Sequence, residues 1–225
     1  MKTLVLTGSE SSMHEVLDLT ILSKQAYAAT HGYDFMSLRS FQDDQECGFS
    51  SKHIGFQRMV ISFKLLRFYQ NVMWVDADAV ITNNNYKIED FIQGNESLIA
   101  SYDWMHYTSF STGNFIVRKT IYTEQLFNMF LNVSKHRLND IMAEQGTLNQ
   151  IYMSLPEYRH MFNVLPHKYL NSVPSFLVET DTWVSDNNRS GIVEPWNSDS
   201  FLAHLTGTST SERVQILTSN KLNLN

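Results

Sequence analysis

Residues 72–81, VMWVDADAVI, form an apolar run interrupted only by two aspartates. A run without polar alternation suits a strand covered on both faces, so the rest of the chain must supply packing elements on each side of it. Suitable elements lie upstream. TLVLTG at 3–8 is a short strand-like run ended by Gly8, and residues 13–30 carry apolar side chains at helical spacing before the helix-end signal His31-Gly32. Residues 54–69 repeat the helical pattern just before the apolar run. Downstream, 97–103 and 114–119 read as strands, and 121–132 and 140–153 as helices. No proline precedes Pro156, whereas 156–203 hold all 4 prolines and two tryptophans, which predicts loops and short strands shaping a pocket. The β, α, β alternation predicts an α/β fold with a mostly parallel central sheet flanked by helices.

The chain has 225 residues, enough for one sizeable core, and one domain over 1–225 is expected. Its 17 Lys and Arg against 23 Asp and Glu give a net charge of −6, which excludes the broad positive field that nucleic-acid binding needs. A single cysteine, Cys47, excludes an intrachain disulfide and fits a reducing compartment. No apolar run approaches the roughly 20 residues of a membrane span. The opening MKTLVLTGSE turns polar too early for a signal peptide, so a cytoplasmic protein is expected. The sequons beginning at Asn95, Asn132 and Asn188 are read as incidental.

Asp76 and Asp78 stand two apart at the end of the buried run. If the strand continues that far, both carboxylates share one face, about 6–7 Å apart. Ligands of open α/β sheets gather beyond the carboxyl ends of the strands, and two ionised carboxylates there repel unless a cation neutralises them. Their oxygen donors suit Mg²⁺ or Mn²⁺, whose remaining ligands are usually phosphates and water. A solvated turn is the competing reading of the triplet.

Five patches in order, YAATHGYDF (27–35), LLRFYQNVMWVDADAVITN (65–83), STGNFIVRK (111–119), EQGTLNQIY (144–152) and HLTG (204–207), resemble GT-A-type glycosyltransferases. The likeness is to the fungal galactosyl- and mannosyltransferases and plant xyloglucan xylosyltransferases, and to the virus-encoded glycosyltransferase domains of chloroviruses. It implies a GT-A, Rossmann-like fold with a nucleotide-binding part over about 1–110 and an acceptor-binding part over about 111–210. Asp76 and Asp78 would be the DXD pair that ties a divalent metal to the donor diphosphate, and His204 the remaining protein ligand. An imidazole beside two carboxylates suits Mn²⁺ better than Mg²⁺. Thr7, Gly8 and Ser9 fall where such enzymes contact base and ribose. Ala77 and Gly207 count with the donor-binding residues, and Arg58 stands where relatives carry a lysine that reaches phosphate or donor. Glu144-Gln145 match the acidic-Gln pair facing the donor sugar.

Two departures stand out. Ser111 replaces the asparagine of Asn-x-Gly, and TSTSER replaces the segment whose lysine holds phosphate, leaving Arg213 as the substitute. Asp103, Asp181 and Glu144 are candidate bases, and Trp104 and Trp183 candidate sugar-stacking faces. The implied activity is metal-dependent transfer of a sugar from a nucleotide sugar, a UDP-sugar first, to a glycan or glycoprotein acceptor, in the host cytoplasm if the gene is viral. Two other readings stand beside it. DADAV also matches the nucleophile motif of haloacid-dehalogenase-type Mg²⁺ phosphohydrolases, in which Asp76 would attack phosphorus. A non-catalytic nucleotide-sugar-binding module is the third.

Overall fold

A computed structural model describes residues 2–50, 53–103, 109–140, 142–178, 195–219 and 222. In chain order the elements are β1 (Thr3–Gly8), α1 (His14–His31), β2 (Asp34–Leu38), α2 (Ile54–Leu65), β3 (Asn71–Asp76), β4 (Ala79–Ile81), β5 (Leu98–Tyr102) and β6 (Phe110–Arg118). There follow α3 (Thr123–Ser134), α4 (Ala143–Ser154), β7 (Phe162–Leu165), α5 (His167–Leu170), α6 (Ser175–Val178), β8 (Leu202–His204) and α7 (Thr210–Thr218). Asp181, Trp104, Trp183 and the sequon at Asn188 lie outside the described residues.

The main sheet has 6 strands in the order β2-β1-β3-β6-β5-β7. All run the same way except β6, which is antiparallel to both neighbours. Alternate side chains of each strand point to opposite faces. Leu4, Leu6, Val72, Trp74, Phe115 and Val117 pack against Phe56, Met59, Phe63, Phe130 and Leu148 from α2, α3 and α4. On the other face Val5, Met73, Val75 and Ile116 meet Tyr27 and Ala28 of α1, together with Phe201 and Leu202. Both faces of β3 are therefore dry, as the apolar run requires, and each such side chain contributes about 1.5–3 kcal/mol by leaving water.

The run nevertheless breaks. β3 stops at Asp76, Ala77 and Asp78 form a turn, and β4 starts at Ala79 to pair with β8 in a separate antiparallel ribbon. The two aspartates thus do not share a strand face by alternation. The turn is not solvated either, because Asp78 is buried. Other differences from the sequence reading have simple causes. β2 gave no clear pattern because it is a half-buried edge strand. Helix α2 closes at Leu65, and β6 begins at Phe110, with Ser111 and Thr112 buried. Helix α1 does end at Gly32, whose φ of 67° is the left-handed cap that glycine tolerates. Among the described residues no helix is long and apolar enough to cross a membrane.

Candidate functional site

Strand pairing assembles the centre. Gly8 of β1 lies opposite Asp76 of β3, and His204 of β8 lies opposite Ala79 of β4. Leu205 N–H donates to the Asp78 carbonyl at 3.0 Å, locking the residue after His204 to the turn. One ligand atom from each of Asp76, Asp78 and His204 falls within 4.8 Å of the others. The His204 Nδ1–H donates to Asn171 Oδ1 at 2.9 Å, and Asn171 Nδ2 donates to the Tyr102 carbonyl at 3.0 Å. That leaves Nε2 facing the carboxylates, 3.4 Å from Asp78 Oδ1 and 4.0 Å from Asp76 Oδ2. A hydrogen bond from the other ring nitrogen orients metal-binding histidines in the same way. The donor set, two carboxylates and one oriented imidazole, fits a divalent cation such as Mn²⁺.

Glycine 113 makes room for this arrangement. A Cβ there would lie 2.5 Å from His204 Cε1 and 3.1 Å from Asp76 Oδ2. The space above Gly113 is therefore filled by the imidazole.

The electrostatics follow from burial and neighbours. Burial raises the Asp78 carboxyl, but His204 and Arg213 more than reverse this and hold it below the usual carboxylate range. Burial lowers the His204 imidazolium, while Asp78 and Asp76 push it above its ordinary value. Arg213 Nε reaches Asp78 Oδ2 at 2.9 Å and the Leu205 carbonyl at 3.2 Å. Burial likewise opposes the charge of Arg58, and Asp76 and Glu144 more than compensate for it.

Arg58 joins Asp76 to the Glu144-Gln145 pair. Its guanidinium bonds Asp76 Oδ1 on one side and Glu144 Oε1 on the other, with Nε 3.2 Å from Glu144 Oε1. Trp74 Nε1 also donates to Asp76 Oδ1, at 2.7 Å. Thr112 donates its hydroxyl to Glu144 Oε1 at 3.0 Å and its N–H to Gln145 Oε1 at 3.1 Å, while Gln145 Nε2 donates to Asp103 Oδ2 at 2.7 Å. Asp103, Glu144, Gln145, Arg58, Thr112 and Asp76 thus form one connected network across β3, β6, α2, α4 and the residue just after β5. Gly55 belongs to it as well, since a Cβ there would come within 1.8 Å of Glu144 Oε2.

Beside the network opens a cavity of about 220 Å³ lined by Gly8, Ser9, Glu10, Met13, Arg58, Asp76, Ala77, Asp78 and Arg213 among others. The buried hydroxyl of Ser9, which lines it, has no hydrogen-bond partner among the described residues, nor has that of Thr7 on the adjoining strand, an uncommon state for buried polar atoms. Gly207, with φ of 77°, turns the chain after His204 toward α7. A larger cavity, about 460 Å³, lies between α2 and the loop 40–46, and neither Asp76, Asp78 nor His204 lines it.

Sequence reasoning missed several partners: Asn171, Asn114, whose Oδ1 accepts Asp76 N–H at 3.1 Å, Gly55, and the fully buried Lys24 beneath the turn. Burial pulls the Lys24 amine down to about 7, with Asp78 and Asp76 acting in the opposite direction. A lysine inside the apolar stripe of α1 was the available signal.

No curated protein matches the sequence. A glycosyltransferase involved in glycosylation of the major capsid of PBCV-1 superposes with a TM-score of 0.66 over 97% of this chain and 100% of that one, at 19% identity. The galactosyltransferase LgtC, solved with donor and acceptor sugar analogs, gives a TM-score of 0.58 over 96% and 95% of the two chains at 12% identity. Mouse xyloside xylosyltransferase 1 gives 0.59 over 93% and 99% at 9% identity. At these identities the likeness is one of fold, and the fold is GT-A. Residues 24–161, more than half of the sequence, match the family described as "Protein of unknown function, DUF273", and the chain belongs to that family.

Proposed function

We propose that the protein is a metal-dependent glycosyltransferase that moves a sugar from a nucleotide sugar, a UDP-sugar first, to a glycan or glycoprotein acceptor in the cytoplasm. The observation that carries this reading is the cluster of Asp76, at the carboxyl end of the parallel strand β3, with Asp78 of the following turn and His204 of β8, next to a cleft lined by the Ser9 hydroxyl, which has no hydrogen-bond partner among the described residues. Asp76, Asp78 and His204 Nε2 would hold Mn²⁺, or Mg²⁺ in its place. When bound, such an ion supplies positive charge to the diphosphate as the bond to the sugar breaks.

The chain's own residues do the rest. Thr7, Gly8 and Ser9 offer hydroxyl and backbone groups to base and ribose, with Ala77 at the cleft wall. Arg213 stands ready to turn from Asp78 to the diphosphate, taking the place of the absent lysine. It sits one helical turn beyond Thr210 on the same face of α7. Gly207 shapes the approach of that helix. Glu144 and Gln145 are fixed by Arg58, Thr112 and Asp103, so they present a preorganised wall to the donor sugar. In this reading, residues before about 110 bind the nucleotide and those from about 111 to 210 receive the acceptor.

The test is a panel of UDP-sugars and glycan acceptors with Mn²⁺, followed by UDP release and by product mass. Acceptor-dependent UDP release with a matching mass gain supports the reading. UDP binding without transfer to any acceptor would leave a binding module, and no nucleotide binding at all would remove the reading.

A further inference from the structure

Helix α1 buries the stripe Val16, Leu17, Thr20, Lys24, Tyr27 and Ala28. Two polar residues sit inside it, and both are aimed at one peptide. Thr20 Oγ1 lies 2.6 Å from the Ala77 carbonyl, and Lys24 Nζ donates to Thr20 Oγ1 at 2.7 Å and reaches the same carbonyl at 3.4 Å. A hydroxyl has one proton to give, and of its two acceptors the Ala77 carbonyl at 2.6 Å is much nearer than the Leu17 carbonyl of the same helix at 3.2 Å, so Thr20 gives it to Ala77 and accepts from Lys24. One turn along, Ser23 Oγ accepts the N–H of Ile81 at 3.2 Å. Three side chains of α1 therefore grip the backbone from Ala77 to Ile81.

Lysine is almost never fully buried without a charged partner, yet Lys24 is 0% exposed and forms no ion pair among the described residues. A methionine of similar shape would fill the site without the desolvation penalty, so packing alone gives no reason for lysine here. The turn it supports gives one. Ala77 is the single residue between the two carboxylate ligands, and its carbonyl orientation sets where Asp78 points relative to His204. Outside the strand ladder, only α1 side chains satisfy that carbonyl among the described residues.

We propose that Lys24 and Thr20 are positioning residues that fix the Asp76-Ala77-Asp78 turn and hence the geometry of the metal ligands. This rests on reading the cluster as a metal centre, and it adds the device that holds the centre in shape before any ion arrives.

The experiment compares wild type, Lys24→Met and Thr20→Val. Mn²⁺ alone is titrated by electron paramagnetic resonance, hydrogen exchange is followed at residues 76–79, and urea unfolding confirms the fold. Thr20→Val keeps the ammonium and so separates position from charge. The expected result is Mn²⁺ affinity lower by about tenfold or more in both variants, as for other supports of metal ligands. Faster exchange in the turn, with unchanged protection in β1 and β6, is expected alongside. If Lys24→Met does not fold, Thr20→Val decides. Folded variants with wild-type Mn²⁺ affinity and wild-type exchange would overturn the proposal. So would tighter Mn²⁺ binding by Lys24→Met alone, which would make the ammonium a competing charge. If wild type itself binds no Mn²⁺, the metal reading fails separately, and the exchange data still decide whether α1 fixes the turn.

Discussion

Gly113→Ala is the smallest change expected to disable the centre. The added methyl would sit 2.5 Å from His204 Cε1, against 3.4–4 Å for ordinary contact, so one of the two must move by close to 1 Å. Strand β6 is poorly placed to move, because it is laddered to β3 on one side and β5 on the other. Asn114, next in sequence, is also tied to Asp76 N–H and to the Leu170 carbonyl. The imidazole has to yield. Its retreat is opposed by the Asn171 bond and by buried neighbours Ala203 and Leu205. Overpacking of this kind costs about 1–3 kcal/mol, or roughly 2–4 °C in Tm per kcal/mol for a chain of this size. Displacing Nε2 removes one of three protein ligands, which should weaken Mn²⁺ at least about tenfold, or about 1.4 kcal/mol. The assay is Mn²⁺ titration of Gly113→Ala, His204→Ala and the double variant. Because both single changes remove the same ligand, the double variant should lose no more than His204→Ala alone. Wild-type Mn²⁺ affinity in Gly113→Ala would refute the reasoning, since the imidazole would then not be packed as described.

Arg58→Met should destabilise the fold by about 3 kcal/mol in urea unfolding, because Asp76 and Glu144 lose their shared counter-ion at a largely buried site. A loss below about 1 kcal/mol would show that solvent already compensates these carboxylates. Glu144→Ala should reduce transfer more than it weakens UDP binding, measured as kcat beside calorimetric affinity; equal losses would assign Glu144 to nucleotide binding instead. Ser209→Ala removes the N-cap of α7, whose hydroxyl pairs reciprocally with Glu212. It should cost about 1 kcal/mol by thermal unfolding, and no change in Tm would mean that tertiary packing alone holds the helix.

How far the sequence announced this arrangement depends on the range of the forces involved. The buried strand, the helices α1, α3 and α4 and the parallel character of the sheet were readable because each rests on a local pattern of apolar residues. The edge strand β2 was not, since its side chains are all half-buried and carry no clear alternation. The Asp76 and Asp78 pair was visible as a motif, but its geometry was not: the strand ends between them, and pairing of β4 with β8, distant in sequence, bends the chain there. His204 was reached through resemblance alone, since nothing local marks it. Arg58 shows the limit most clearly. Sequence suggested a cation for the donor, and Arg58 does line the cleft, but its ties to Asp76 and Glu144, the second across 86 residues, were not legible. Lys24 could have been noticed as a charge within an apolar stripe, but only tertiary structure reveals that the stripe faces the turn at Ala77.

The most direct test is calorimetric titration of UDP into the wild-type protein with and without Mn²⁺, repeated with Asp76→Ala/Asp78→Ala. Binding that needs both the ion and the carboxylates is the expected result. UDP binding of equal strength without Mn²⁺ or without the carboxylates would contradict a metal-bridged donor site, and absence of binding in every case would contradict the glycosyltransferase reading itself.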